Sequence, residues 1–140
     1  MLILDTNVIS EFVAVEPDPH VLDWAEAHWD AKFYLTAITL AEIDCGLARM
    51  PEGRAATLRR HGMMEAIERF IVGPPLAFDE VAARTFGPLF ARCEKQGQRM
   101  QFADAQIAAI ALANGGTLVT RNVADFAASG IPLINPFAPT

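Results

Sequence analysis

Asp5, Glu42, Asp104, Asn122 and Asp125 stand where short apolar runs give way to helical stretches. Asp5 directly follows the first such run, Met1–Leu4. Glu42 lies one turn into the helix expected after Phe33–Leu35, and Asp104 lies in the first turn of the helix expected over Phe102–Ala113. Thr120, Asn122 and Asp125 follow Thr117–Val119. Each side chain by itself also reads as a helix cap, because short polar and acidic groups satisfy the free N–H groups of a first turn and complement the helix dipole. Thr39-x-x-Glu42 fits a capping box and Asn122-x-x-Asp125 resembles one. Two details favour chemistry. Glu42 and Asp104 sit among small or apolar neighbours, which implies partial burial, and no Lys or Arg lies within four residues of Asp5 or Asp104. Buried carboxylates need positive partners. A divalent metal supplies that charge, and carboxylates without His or Cys select a hard ion, Mg²⁺ or Mn²⁺. Such an ion activates water and offsets charge on phosphate oxygens, which is the chemistry of phosphodiester hydrolysis.

The elements that must position these groups follow from hydrophobic spacing. Strands are expected at Met1–Leu4, Phe33–Leu35, Leu76–Phe78, Thr117–Val119 and Leu133–Ile134. Helices are expected from Thr6 toward Pro17, over Val21–His28, Ile38–Arg49, roughly Pro51–Val72, Glu80–Lys95 and Phe102–Ala113, and over Asn122–Ala128. Gly115-Gly116 marks the end of the Phe102–Ala113 helix. Short strands alternating with helices imply a parallel sheet covered on both faces, a three-layer α/β/α domain. In such sheets ligands bind beyond the carboxyl ends of the strands, where the acidic residues converge.

Composition bounds the rest. The 140 residues suit one domain, and 52% apolar against 20% charged residues supplies a core and excludes a disordered chain. The net charge of −6 argues against a protein that coats nucleic acid with a basic surface. The longest apolar run, Ile107–Ala113, is seven residues, too short to cross a bilayer. No basic residue precedes the first apolar run, so a secretory signal is not expected and the cytoplasm is. Cys45 and Cys93 lie in no metal-binding or redox pattern. His20, His28 and His61 lie away from the acidic positions and read as surface or helix-packing residues. Trp24 reads as core, while Trp29 is left between core and the lining of a partner groove. Nine of the eleven basic residues are Arg. Arg49, Arg54, Arg59 and Arg60, read as a solvated helix face, also offer contacts to a phosphate backbone. Arg121, beside Asn122, is the better single candidate for touching phosphate.

Four blocks carry a family resemblance. Leu4-Asp5-Thr6-Asn7-Val8-Ile9-Ser10-Glu11 resembles the opening of PIN-domain nucleases, above all the VapC toxins of bacterial toxin–antitoxin pairs and their FitB-like branch. Leu35-Thr36-Ala37-Ile38-Thr39-Leu40-Ala41-Glu42-Ile43 and Ala103-Asp104-Ala105-Gln106-Ile107-Ala108-Ala109 continue it. Leu118-Val119-Thr120-Arg121-Asn122-Val123-Ala124-Asp125-Phe126, with the ending Ile134-Asn135-Pro136-Phe137, completes it in the family's order. The resemblance implies a single PIN domain over residues 1–140 that cleaves RNA with Mg²⁺ or Mn²⁺. It maps the family's acidic positions onto Asp5, Glu42 and Asp104 as metal ligands, with Asn122 in a fourth place where many members carry Asp. Thr6, Thr120 and Asp125 would then support these groups. The resemblance also implies a homodimer, and a cognate VapB-like antitoxin whose tail lies near the carboxylates.

Three other readings compete. A receiver-like signalling domain requires paired acids near the first strand and a Lys after the last, yet the two lysines are Lys32 and Lys95. A nucleotide-binding module lacks its glycine-rich loop. A catalytically weak metal-binding protein of the same fold rests on Asn122 alone.

Overall fold

The computed structural model describes residues 1–139; Thr140, the last residue of the expected domain, lies outside them. The apolar run Leu-Ile-Leu forms β1 (Leu2–Leu4), followed by α1 (Thr6–Ile9), a 3₁₀ turn over Ser10–Val13 and α2 (Pro19–Ala27). Next come β2 (Phe33–Tyr34), α3 (Ala37–Arg49), α4 (Arg54–Phe70), α5 (Glu80–Lys95) and α6 (Phe102–Ala113). The chain closes with β3 (Thr117–Val119), α7 (Val123–Phe126), a second 3₁₀ turn over Ala127–Ser129 and β4 (Leu133–Ile134). The four strands are parallel, in the order β2-β1-β3-β4.

The sheet divides the interior in two, because successive strand residues face opposite ways. Ile3 and Leu118 pack with Leu89, Ile107 and Phe126 on the α5/α6 side. Leu4 and Val119 pack with Ile9, Trp24, Leu35 and Ile43 on the other. Both faces of β1 are therefore covered, and the expected α/β/α layering is present. Helix α6 is buried nearly all round, with Ala105, Ile107, Ala108, Ala109, Ile110 and Ala111 inaccessible. Its alanines let it lie close to the sheet.

Asn114 and Gly115 end α6. Gly115 takes φ +64°, a left-handed conformation that costs glycine nothing, and Gly116 N–H returns to the Ala111 carbonyl at 2.9 Å. At Gly116 the constraint is space, since a Cβ there would stand 2.6 Å from Ile3 Cδ1 in the core. Gly116→Val is expected to destabilise the fold by about 2 kcal/mol through overpacking. A lower urea midpoint with unchanged m-value is the expected result, and an unchanged midpoint would refute the steric account.

Several local expectations are corrected. Leu76–Phe78 is not a strand. Leu76 makes a single parallel bridge to Thr36, exchanging bonds with Leu35 and Ala37 at 2.8 Å. Pro74 and Pro75, which lack N–H donors, and the α5 cap Asp79 leave too little chain between them for a ladder. The capping box at Thr39 is not used. Thr36 caps α3 one turn earlier, its Oγ1 accepting from Thr39 N–H at 3.0 Å. The helix beginning at Thr6 tightens into 3₁₀ geometry at Ser10, and α4 starts at Arg54, after the left-handed Gly53, not at Pro51. Trp24 is core, whereas Trp29 is 83% exposed. His28 packs on Trp24 with ring centroids 4.7 Å apart, while His20 and His61 are exposed. No helix among the described residues is long and apolar enough to cross a membrane.

Candidate active site

Parallel pairing of β1 with β3 aligns Leu4 with Val119 and brings the next residues, Asp5 and Thr120, together. Asp5 N–H donates to the Val119 carbonyl at 3.0 Å. Thr120 Oγ1 donates to Asp5 Oδ2 at 2.7 Å while accepting from Asn122 N–H at 3.0 Å. The second bond fixes the direction of the first, because a hydroxyl that accepts from Asn122 has its one proton free for Asp5. Asp5 also caps α1, its Oδ1 accepting from Thr6 N–H at 2.8 Å. The cap reading and the site reading of Asp5 thus hold together. The carboxylate is buried, and each of its oxygens is held in a fixed direction.

Asn7 was not singled out from sequence for any role of its own. Its Nδ2 reaches Asp5 Oδ2 at 3.3 Å and Thr120 Oγ1 at 3.4 Å, and its Oδ1 accepts from Arg121 N–H at 3.1 Å. One amide therefore links the end of β1 to the end of β3. The available signal was a short amide two residues beyond a strand-end carboxylate. The Thr6 hydroxyl plays no comparable part: it is buried without a hydrogen-bond partner, and it is the Thr6 backbone that meets Asp5.

Glu42 and Asp104 enter from α3 and α6. Both carboxyls are pushed above the usual carboxylate range. Partial burial is the main cause for each; the charges of Asp5 and Asp104 add to it at Glu42, and those of Asp5 and Asp125 at Asp104. Glu42 is solvent-exposed as a residue, while its carboxyl is partly dehydrated, as its neighbours imply. Asp104 is half-buried as expected. Asp125 acts electrostatically on Asp104. Asn122 precedes α7, is exposed and makes no side-chain cap, so the capping box with Asp125 is not formed.

Arg121 is the nearest cation in sequence and is already engaged. Its Nη2 lies 3.5 Å from Glu11 Oε1 and its guanidinium carbon 3.9 Å from the Phe137 ring centroid. Glu11, also missed from sequence, is anchored by the Asp18 N–H at 2.8 Å. Of the other arginines considered, Arg49, Arg54 and Arg60 are exposed, and Arg59 alone is half-buried.

The sheet edge therefore gathers carboxylates whose fields overlap. Among the described residues, no three His, Cys, Asp or Glu side chains close into a ready ligand set. The donor chemistry still fits a hard cation, because Mg²⁺ retains several waters and takes one or two carboxylates with substrate phosphate, without a closed protein cage.

Comparison with known proteins agrees with this frame. A family model described as PIN domain matches residues 2–128. The chain is 41% identical over 137 residues to plasmid stability protein StbB of Pseudomonas syringae pv. tomato, covering 98% of this chain and 99% of that protein. It is 40% identical over 139 residues to VapC ribonuclease Y4jK of Sinorhizobium fredii, covering 99% of each. Among solved structures, FitAcB from Neisseria gonorrhoeae superposes with a TM-score of 0.90 at 31% identity, covering 99% of this chain and 100% of that one. With a matching domain model, full-length relatives and one shared architecture, the chain belongs to the PIN-domain family, in the VapC/FitB type of toxin–antitoxin proteins.

Proposed function

We propose that this protein is a metal-dependent endoribonuclease toxin that hydrolyses RNA phosphodiester bonds and is restrained by a VapB-like antitoxin. The observation that carries this reading is the placement of the buried Asp5 carboxylate, oriented by Thr120 at the end of β1, within the field of Glu42 from α3 and Asp104 from α6. Carboxylates crowded until they repel one another are a standing attraction for a cation. The likeness to a VapC ribonuclease supports RNA as the substrate.

Asp5, Glu42 and Asp104 would hold Mg²⁺ or Mn²⁺, directly or through water, with Asn122 as a neutral fourth donor. The bound ion supplies acidified water and positive charge against the phosphate oxygens. Thr120 and Asn7 keep the Asp5 oxygens oriented, which spares the site reorganisation when the ion arrives. Arg121, 54% exposed, exchanges Glu11 for a backbone phosphate of the incoming RNA. The acidic pocket equally suits a basic side chain of the antitoxin tail, and a homodimer and a cytoplasmic location complete the reading.

The purified protein is expected to cleave RNA with Mn²⁺ or Mg²⁺ and to stop in excess EDTA. Cleavage that persists in EDTA would refute the metal dependence. The neutral Asn122 favours one second reading, a metal-binding protein of weak activity, marked by thermal stabilisation with Mg²⁺ and no RNA cleavage. Asn122→Asp is expected to tighten Mg²⁺ binding about ten-fold in a calorimetric titration, because added ligand charge deepens such sites. An unchanged titration would place residue 122 outside the coordination sphere.

A further inference from the structure

A cavity of about 250 Å³ opens beside the carboxylates, between α1, α3 and α4. Glu42 belongs to both the acidic group and this cavity, so an occupant lies next to the reacting phosphate. Ser10 and Arg59 supply its other polar side chains, while Leu47 and Met63 give it apolar walls. The volume falls just below that of cavities built for drug-sized ligands, which suits one planar ring system or one side chain.

We propose that this cavity receives the nucleobase flanking the scissile phosphate and gives the enzyme its base preference. The inference rests on the endoribonuclease reading and deepens it. Two features of the cavity and the chemistry of bases favour a base over a peptide side chain. A basic side chain would reach Glu42 only by also meeting Arg59, the one arginine of its cluster that is half-buried. An apolar side chain would leave the Arg59 guanidinium and the Ser10 hydroxyl facing it without partners. A neutral base offers donors and acceptors on its edge and a flat face for thioether, leucine and guanidinium contact.

Gly46 keeps the cavity open. It lies within α3 and lines the space, and a Cβ there would meet no atom within 4 Å. Because Gly46 lines the space, a larger side chain there has room to extend over it without displacing the core, and any residue better suited to a helix than glycine supports α3.

The test digests a single-stranded RNA, randomised at its central positions, with wild type, Gly46→Leu and Gly46→Ala in Mn²⁺, and sequences the products. Wild type is expected to prefer one base, or one class of base, by about ten-fold at a position adjoining the cut. Gly46→Leu is expected to lower this preference to about two-fold, with Gly46→Ala between them. In the cleavage-deficient Asp104→Asn background, a 2-aminopurine placed at that position is expected to brighten on binding, as it leaves the stack of its neighbours for a cavity without aromatic rings, and this rise is expected to disappear on adding Gly46→Leu. Identical product profiles in all three proteins would overturn the proposal, as would a wild type that cuts without any base preference. A normal profile in Gly46→Leu, combined with lost antitoxin binding, would overturn it in favour of a peptide pocket. A wild type that cuts no RNA would instead remove the nuclease reading on which the proposal depends.

Discussion

Asp5→Asn is expected to reduce RNA cleavage by about a thousand-fold or more, with the fold intact. The substitution is informative because of what it preserves. Asn is as good an N-cap as Asp, so the bond from Thr6 N–H at 2.8 Å has an equivalent acceptor. The shape of the side chain is unchanged, and what disappears is a full negative charge at the end of β1, together with the oxygen that accepts from Thr120 and Asn7. Far-UV circular dichroism should match wild type, while a labelled RNA in Mn²⁺ should remain uncut. Asp104→Asn is expected to behave alike, since that residue answers to the same field from a different helix. Cleavage that survives both substitutions would end the metal-nuclease reading.

A divalent ion should also change stability, with a pH dependence of definite sign. Glu42 and Asp104 are raised by burial and by neighbouring carboxylates. A carboxyl whose pKa is raised by folding holds its proton more tightly in the folded state. It adds stability below its unfolded pKa, and that contribution is lost as pH rises through the folded pKa. At neutral pH the ion-free protein therefore carries unrelieved repulsion at the sheet edge. Mg²⁺ at about 100 times its Kd is expected to raise Tm by roughly 8 °C at about pH 7.5. The gain should shrink as pH falls through the raised carboxyl range, where protons compete for the same oxygens. Asp104→Asn without metal is expected to raise Tm by about 3 °C at neutral pH, a modest figure because solvent screens a half-buried charge. Differential scanning fluorimetry across pH checks all three; a Tm indifferent to Mg²⁺ would show that the carboxylates hold no ion.

The layering was legible in the chain because period and punctuation agree: the apolar triplet Leu2–Leu4 is followed by Asp5, which caps α1, and Thr117–Val119 by the polar stretch that leads into α7. Asp5 could be placed for the same reason, since the end of a buried strand is a fixed point. The geometry around it was less legible. Asn7 acquires its role only when β1 and β3 pair, and the separation of 113 residues between Asn7 and Thr120 leaves no local trace. Glu11 is similar, because its partner Arg121 belongs to another segment. The misplaced cap at Thr39 shows a different limit. Thr36 and Thr39 both offer a hydroxyl three residues ahead of an N–H, and the choice fell to the one nearer the end of β2. The strand expected at Leu76–Phe78 failed for want of length, not of pattern.

The bond from Thr120 to Asp5 spans 115 residues and has a temporal consequence. During synthesis Asp5 leaves the ribosome more than a hundred residues ahead of Thr120 and waits for β3. A nascent chain that stops before Thr117 has no strand to hold Thr120, no Asn122 and no Arg121 beside its first carboxylate. That carboxylate lacks the hydroxyl that orients it. On the nuclease reading proposed above, activity awaits the return of β3 onto the first strand. That delay is an interval in which an inhibitor can already be present.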